Sequence, residues 1–137
     1  MLTNLTSIKV GWGDCDPAGI VFHPRYFAWF DAGAMALFEQ AGLPKRQMLE
    51  DHGIVGIPIV DARAKFIIPS TYGDTIVIES AVAEWRRSSF DLRHRVLRGD
   101  AVAVEGQSTR VWAAPDPAHP GRIKAQPVPA EIIARFA

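Results

Sequence analysis

Apolar residues recur every three or four positions between Val21 and Gly42, and this spacing predicts one helix over that range. Pro24 suits the first turn, because its missing N–H needs no partner there. Gly42 is typical of a helix end. From Pro24 to Ala41 such a helix is roughly 27 Å long, and it is the only long helix predicted. Its apolar positions are Phe27, Phe30, Ala34, Leu37, Phe38 and Ala41.

From Ile59 onward the hydrophobic period changes to two, which is typical of half-buried strands. Alternate positions from Val60 to Ile68 are apolar, whereas Asp61, Arg63 and Lys65 occupy the other face. The predicted strands are Leu5 to Trp12, Ile59 to Ile68, Thr75 to Trp85, Ser88 to Leu97 and Ala101 to Ala114, followed by a short strand near Ile123 and a helical turn from Pro129.

This order of elements, a strand, a long helix and a meander of antiparallel strands, predicts an α+β fold in a single domain that spans residues 1–137. One helix covers such a sheet incompletely and leaves its edges open. Open edges normally need protection. We therefore expect the chain to self-associate through sheet edges.

Composition narrows the possible partners. Apolar residues make up 48% of the chain and charged residues 22%, which excludes wholesale disorder. Fifteen basic residues balance fifteen acidic ones, so no global field favours nucleic acid or an anionic membrane. No long apolar run is present, which predicts a cytoplasmic protein. One cysteine, Cys15, and four scattered histidines offer no zinc-ligand spacing, so neither metal nor cofactor is predicted.

Two carboxylates, Asp14 and Asp16, lie between the first strand and the helix, where Pro17 and Gly19 turn the chain. A helix start offers unpaired N–H groups that can stabilise an oxygen gaining negative charge. A neighbouring aspartate can attack a carbonyl carbon or activate water. The alternative is that both aspartates only form Asx turns.

Other polar residues are weaker candidates for chemistry. Cys15 lies between two carboxylates, which suppress the reactive thiolate. His23 at the helix start can hydrogen-bond a substrate, orient the carboxylate or cap the helix. His94 alternates with Phe90, Leu92 and Val96 and is expected to be a satisfied core or interface histidine. Arg86 and Arg87 join two strands and can grip phosphates, or simply form a solvated turn.

The run Gly13-Asp14-Cys15-Asp16-Pro17-Ala18-Gly19-Ile20-Val21, with Pro24-x-Tyr26, closely resembles the signature of the 4-hydroxybenzoyl-CoA thioesterases of the hot-dog superfamily. The similarity extends to Gly53-Ile54-Val55-Gly56-x-Pro58-Ile59-Val60 and to Glu84-Trp85-Arg86-Arg87-x-Ser89-Phe90. It implies a hot-dog fold, in which a curved antiparallel sheet wraps one long helix. It also implies an oligomer, either a dimer or a homotetramer.

The resemblance also implies residue roles. Asp16 matches the family's catalytic aspartate, which is thought to attack the thioester and form an acyl-enzyme anhydride. N–H groups around His23 would polarise the thioester oxygen. Arg86 and Arg87 would bind the phosphates of coenzyme A, and Asp31 would contact an aromatic hydroxyl across a subunit interface.

Three positions depart from the family pattern. His23 stands where the benzoyl-specific enzyme has tyrosine, and it matches the Val-Tyr-His-x-x-Tyr form of the Tol-Pal-associated thioesterases. Ile57 replaces a small hydroxyl residue near the reacting group. Ser88 replaces a lysine beside the arginine pair. Thioester hydrolysis is compatible with the first two changes, which leave the acyl group open, whereas the third predicts weaker phosphate binding.

The sequence thus predicts an acyl-CoA thioesterase with an aromatic, 4-hydroxybenzoyl-like acyl group and Asp16 as nucleophile or general base. A short-chain aliphatic acyl group is the first alternative. A dehydratase using His23 and Glu39 is a second, and it would leave the Asp16 segment unexplained. A non-catalytic acyl-CoA-binding module is the third, although the chain has no DNA-binding output element.

Overall fold

One long helix lies against one antiparallel sheet, which confirms the predicted α+β arrangement. The computed structural model describes residues 1–137. In chain order the elements are β1 (Thr3–Lys9), a 3-10 turn (Trp12–Asp14), α1 (Pro24–Gln40), α2 (Lys45–His52), β2 (Ile59–Phe66), β3 (Thr75–Trp85), β4 (Ser89–Arg98), β5 (Ala101–Val111), β6 (Ala113–Pro115), β7 (Ile123–Ala125) and α3 (Ala130–Ala134). No helix has the length and apolar character needed to cross a membrane.

The main sheet has five strands in the order β1-β3-β4-β5-β2. Every pairing is antiparallel, and β1 and β2 form the two edges. The strand pair β6 and β7 forms a separate two-stranded sheet. The long segment that contains α1 and α2 connects β1 to β2, and these two strands lie at opposite edges of the sheet.

The predicted apolar stripe of α1 faces the sheet. Phe30, Ala34, Leu37 and Phe38 are all buried. On the sheet side, the predicted inward face of β4 is also confirmed. It consists of Phe90, Leu92, His94 and Val96, none of which has any exposed surface. The core lies between this helix stripe and this sheet face.

Two glycines allow α1 to approach the sheet closely. A Cβ atom added to Gly33 on α1 would lie 2.5 Å from Oγ of Ser80, and one added to Gly106 on β5 would overlap the ring of Phe30. Both neighbours are buried, so neither has room to move aside. Larger residues at these positions would push the helix off the sheet.

His94 is the polar centre of the core, as its alternation with apolar residues predicts. Its Nδ1 lies 2.8 Å from Oγ of Ser80, and its Nε2 lies 3.5 Å from Oγ of Ser108. Its ring stacks on Phe30, with centroids 4.8 Å apart. Burial, together with the positive charge of Arg110, lowers the pKa of His94 from 6.5 to about 4. The imidazole is therefore neutral at pH 7.

Some predicted boundaries were wrong. The helix begins at Pro24 and not at Val21, because the N–H groups of Val21 and Phe22 donate to Ser70 O and Asp14 O and hold this segment extended. The first strand lies at Thr3–Lys9 and not at Leu5 to Trp12. The strand predicted from Ala101 to Ala114 is interrupted at Trp112, since β5 ends at Val111 and β6 starts at Ala113.

The sequence pattern also missed α2, an eight-residue helix with only one buried residue, Met48. Its other positions are mostly charged, so no apolar stripe marks it. The prediction of a half-buried β2 was wrong for the isolated chain. No residue of β2 is buried, and Val60 is 63% exposed. The reason is geometric, because α1 packs chiefly against β1, β3 and β4 and does not cover this edge.

The lowered pKa of His94 predicts a pH-dependent stability. In the unfolded chain histidine binds a proton near pH 6.5, whereas folded His94 does so only near pH 4. The contribution of neutral His94 to the free energy of unfolding is therefore complete above pH 6.5 and is lost as the pH falls toward 4. Unfolding free energies from guanidinium titrations should fall over this range, with His94 accounting for about 3 kcal/mol.

The control variants for this measurement are His94→Gln, which keeps a polar side chain that does not titrate, and His119→Gln on the surface. The pH slope should flatten in the first variant and persist in the second. An unchanged slope in His94→Gln would contradict the prediction.

Candidate active site

The turn that carries Asp16 is held by three hydrogen bonds. The Asp16 N–H donates to Ile20 O at 2.9 Å, and the Gly19 N–H donates to Asp16 O at 2.9 Å. The Ala18 N–H donates to Oδ1 of Asp16 at 2.9 Å. Gly19 has φ 82°, a conformation that favours glycine. The Asx turn therefore exists, but it uses only one carboxylate oxygen, and Oδ2 accepts no hydrogen bond within the chain.

Asp14 has a structural role beside this turn. Its Oδ2 accepts a hydrogen bond from the Gly11 N–H at 2.8 Å. Its backbone oxygen accepts the Phe22 N–H, and its side chain lies 3.8 Å from Nε of Arg25. These contacts tie the loop to the start of α1. Cys15, the residue between the two aspartates, is a partly buried free thiol whose Sγ lies 3.8 Å from Gly11 O.

The start of α1 has one unpaired backbone donor close to this loop. Pro24 has no N–H, and the N–H groups of Arg25 and Tyr26 donate to Phe22 O and His23 O. The Phe22 N–H is taken by Asp14 O, so the His23 N–H is left without an acceptor in the chain. A free N–H at the positive end of a helix is suited to bind an oxygen that gains negative charge.

Two adjacent clefts carry the predicted catalytic residues. Asp16 lines a cleft of about 640 Å³ together with Trp12 and Tyr72, whose exposed rings meet edge to face at 5.5 Å. His23 lines a second cleft of about 310 Å³, formed largely by apolar side chains. The two clefts adjoin where Ile20, in the His23 cleft, bridges to Thr71, in the Asp16 cleft.

The His23 side chain does not orient Asp16 within one chain. Its ring packs edge to face on Phe22 and Phe66 and makes no hydrogen bond. Tyr26 lies in the same cleft, and burial raises the pKa of its phenol. The cleft around His23 therefore presents an imidazole, a neutral phenol and apolar walls.

A buried arginine joins two of the predicted substrate-binding residues. Nη2 of Arg110 donates to Oδ1 of Asp31 at 2.7 Å, and Nη1 donates to Ile57 O at 3.0 Å. The Ile57 side chain itself is buried in the core. Burial lowers the pKa of Arg110, and the charge of Asp31 opposes this change. Sequence reasoning missed Arg110, although it lies in phase with the buried positions Ser108, Gly106 and Val104 of β5.

The two arginines at the β3–β4 junction differ in their surroundings. Both terminal nitrogens of Arg86 donate to the Asp91 carboxylate, at 2.9 and 2.7 Å, and Nε donates to Ser89 Oγ at 3.0 Å. This pairing raises the pKa of Arg86 and lowers that of Asp91. The exposed guanidinium of Arg87 has no ion-pair partner. Ser88 is half-buried, and its backbone oxygen accepts the Trp112 N–H.

Other candidate arrangements are not assembled. Glu39 lies near the opposite end of α1 from His23, roughly 24 Å along the helix axis, so the pair proposed for a dehydratase does not meet within one chain. No three His, Cys, Asp or Glu side chains lie close enough together to hold a metal ion.

This fold, with a carboxylate turn at the start of its long helix, is that of a known enzyme superfamily. The family model of the thioesterase-like superfamily matches residues 10–136. The chain therefore belongs to the thioesterase-like superfamily, and the resemblance seen in its motifs is confirmed. It is 42% identical over 131 residues to the 4-hydroxybenzoyl-CoA thioesterase of Pseudomonas sp. strain CBS-3, with 91% of each chain covered.

Solved structures confirm the hot-dog fold. One is an aspartate-to-asparagine variant of a 4-hydroxybenzoyl-CoA thioesterase in complex with 4-hydroxybenzoyl-CoA. It is 36% identical, has a TM-score of 0.91, and both chains are covered completely. Another is a gentisyl-coenzyme A thioesterase that is 31% identical, with a TM-score of 0.80 and coverage of 97% of this chain and 98% of that one.

Proposed function

We propose that this protein is an acyl-CoA thioesterase that hydrolyses the thioester of a hydroxylated aromatic acid to the free acid and coenzyme A, with the whole chain acting as one catalytic domain. The observation that carries the proposal is the Asp16 turn, which leaves one carboxylate oxygen unbonded in a cleft beside the start of α1. Similarity to two thioesterases of hydroxylated benzoyl groups supports the aromatic acyl group.

In the proposed mechanism the Asp16 carboxylate acts on the thioester carbon. It either adds to that carbon directly, to give an anhydride that water then cleaves, or removes a proton from an attacking water. The His23 N–H stabilises the oxygen that becomes negative as the carbonyl is attacked. In both routes the C–S bond breaks, one water is consumed and coenzyme A leaves as the thiol.

The sequence offers a matched test of Asp16. Asp16-Pro17-Ala18 recurs as Asp116-Pro117-Ala118, and there too the alanine N–H donates to Oδ1 of the aspartate, at 3.0 Å. Asp16→Asn should lower kcat for 4-hydroxybenzoyl-CoA by roughly a thousandfold or more, because the amide is neither nucleophile nor base. Thiol release should be measured with a chromogenic disulfide.

Asp116→Asn, which changes the equivalent turn on the surface, should keep full activity. Equal losses in the two variants, or near-normal turnover in Asp16→Asn, would refute the catalytic assignment. A comparison of hydroxybenzoyl-, benzoyl- and short aliphatic acyl-CoA by kcat/KM separates the aromatic proposal from an aliphatic one. Binding of these esters without turnover would instead indicate a binding module.

We further propose that Arg87 is the main phosphate contact of coenzyme A at the β3–β4 junction. Arg86 is already paired with Asp91, whereas Arg87 is exposed and unpaired. Ser88 supplies no charge of its own. The guanidinium of Arg87 is therefore available for a ligand, while that of Arg86 stabilises the junction.

Arg87→Ala should raise KM for acyl-CoA roughly fivefold to tenfold and leave kcat unchanged, since the lost contact is remote from the reaction. Thioesters of N-acetylcysteamine, which lack phosphates, should show no change. The control is Arg122→Ala, a surface arginine that also has no ion pair. An equal rise in KM for both thioester types would argue against phosphate binding.

We also propose that the chain is a homo-oligomer, a dimer or a homotetramer, that associates through β2. This edge strand exposes Ile59, Val60 and Phe66, and its outer backbone edge is unpaired. Such an edge is a site for strand pairing with a second copy. A cytoplasmic location is part of the proposal, since the only cysteine is an unpaired thiol, as is usual in a reducing compartment.

The two sheet edges provide a controlled test of assembly. Val60 on β2 and Leu5 on β1 are each 63% exposed. Val60→Lys should shift sedimentation velocity profiles toward the monomer, because it places a charge in an apolar interface. Leu5→Lys should leave the profile unchanged. A dissociating effect of Leu5→Lys alone would move the proposed interface to β1.

A further inference from the structure

Arg110 occupies a position that is costly for an arginine. Only 7% of the residue is exposed, and its Nε is buried without a hydrogen-bond partner. A buried, incompletely paired guanidinium destabilises a fold unless other contacts offset it. Two contacts do so here, one to the Asp31 carboxylate and one to the Ile57 carbonyl.

Those two contacts join separate parts of the chain. Asp31 lies on α1, Ile57 lies in the segment between α2 and β2, and Arg110 lies on β5. The arginine thus connects the helix, the segment before the edge strand and the sheet through one rigid planar group. A lysine, with a single ammonium group, does not offer this fork of donors.

The Asp31 carboxylate is only half engaged by this arrangement. Its Oδ1 accepts from Arg110, whereas its Oδ2 accepts no hydrogen bond within the chain. The side chain is 59% exposed and lines a cleft of about 320 Å³ with Phe27 and Ile59. Arg110 therefore fixes Oδ1 of Asp31, whereas Oδ2 remains available to a ligand in a cleft with apolar walls.

We infer that Arg110 is a positioning residue that determines the preference of the enzyme for hydroxylated acyl groups. It holds Asp31 so that the free oxygen accepts a hydrogen bond from the hydroxyl of an aromatic acyl group. Its positive charge also compensates the carboxylate when substrate excludes water from the cleft. The inference rests on the proposed thioesterase function and concerns only the choice of acyl group.

Comparison of two substrates that differ by one hydroxyl tests this role. The ratio of kcat/KM for 4-hydroxybenzoyl-CoA to that for benzoyl-CoA should fall roughly tenfold or more in Arg110→Met. Arg110→Lys should give an intermediate ratio, because it keeps the charge but not the fork. It also provides a second variant if methionine does not fold.

Coupling between the two residues gives an independent readout. Asp31→Asn should lower the same ratio, and the double variant Arg110→Met, Asp31→Asn should be no worse than the poorer single variant, because the two residues act as one unit. The matched control is Arg95→Met. Arg95 donates to Glu79 at 2.7 Å on the opposite face of the sheet, and its removal should leave the ratio unchanged.

The outcomes that contradict the inference differ from those that contradict the function. Equal losses for both substrates, with a lower melting temperature, would assign Arg110 to the fold alone and overturn the inference. A wild-type enzyme that hydrolyses both esters equally well would overturn it too, while leaving thioesterase activity intact. If the wild type hydrolyses no acyl-CoA, the proposed function fails first, and the inference falls with it.

Discussion

The close contact between α1 and the sheet is the constraint on which the rest of the structure depends. Gly33 and Gly106 leave no side chain between the two layers, so Phe30 can stack directly on the buried His94. This close packing sets the distance between the whole helix and the strands. On the sheet face beneath the helix, Ser80 and Ser108 are the hydrogen-bond partners of His94.

The helix in turn determines where the chemistry lies. Its first turn begins at Pro24, and the N–H of His23, the residue before it, is unpaired beside the Asp16 loop. One face of its middle section carries Asp31, which reaches Arg110 on β5. The two regions that the sequence assigns to reaction and to acyl recognition are therefore attached to one rigid element, and their separation is set by the helix.

Local sequence rules predict the parts of this molecule that depend on one element at a time. The three- and four-residue spacing located α1, the turn residues before Thr75 located the start of β3, and alternation located the inward face of β4. The Asp16 motif was recognised through its resemblance to a family signature, since residue types alone left a simple Asx turn as the alternative. The helix and the strands are predictable because their apolar side chains can be buried in only one way, by facing the single core.

Features that depend on pairs of distant elements were not predictable in this way. Arg110 lies 79 residues from Asp31, and no local pattern pairs them. Sequence reasoning did not single out Arg110, because the role of an inward arginine is clear only when its partner is known. The prediction that β2 is half-buried failed for a related reason. Alternation shows which face of a strand is apolar, but it does not show what covers that face. The helix α2 has almost no buried face and therefore no periodic signal.

The Asx turn at Asp16 separates two tasks that many active sites combine. Three consecutive residues orient the Asp16 carboxylate through a bond to the Ala18 N–H, so its geometry is encoded within the loop itself. The surfaces suited to acyl selection come from other segments, namely α1 and the edge of the sheet. If the proposed mechanism holds, such a division makes the site modular, because substitutions in the clefts can change the range of acyl groups without altering the Asp16 loop.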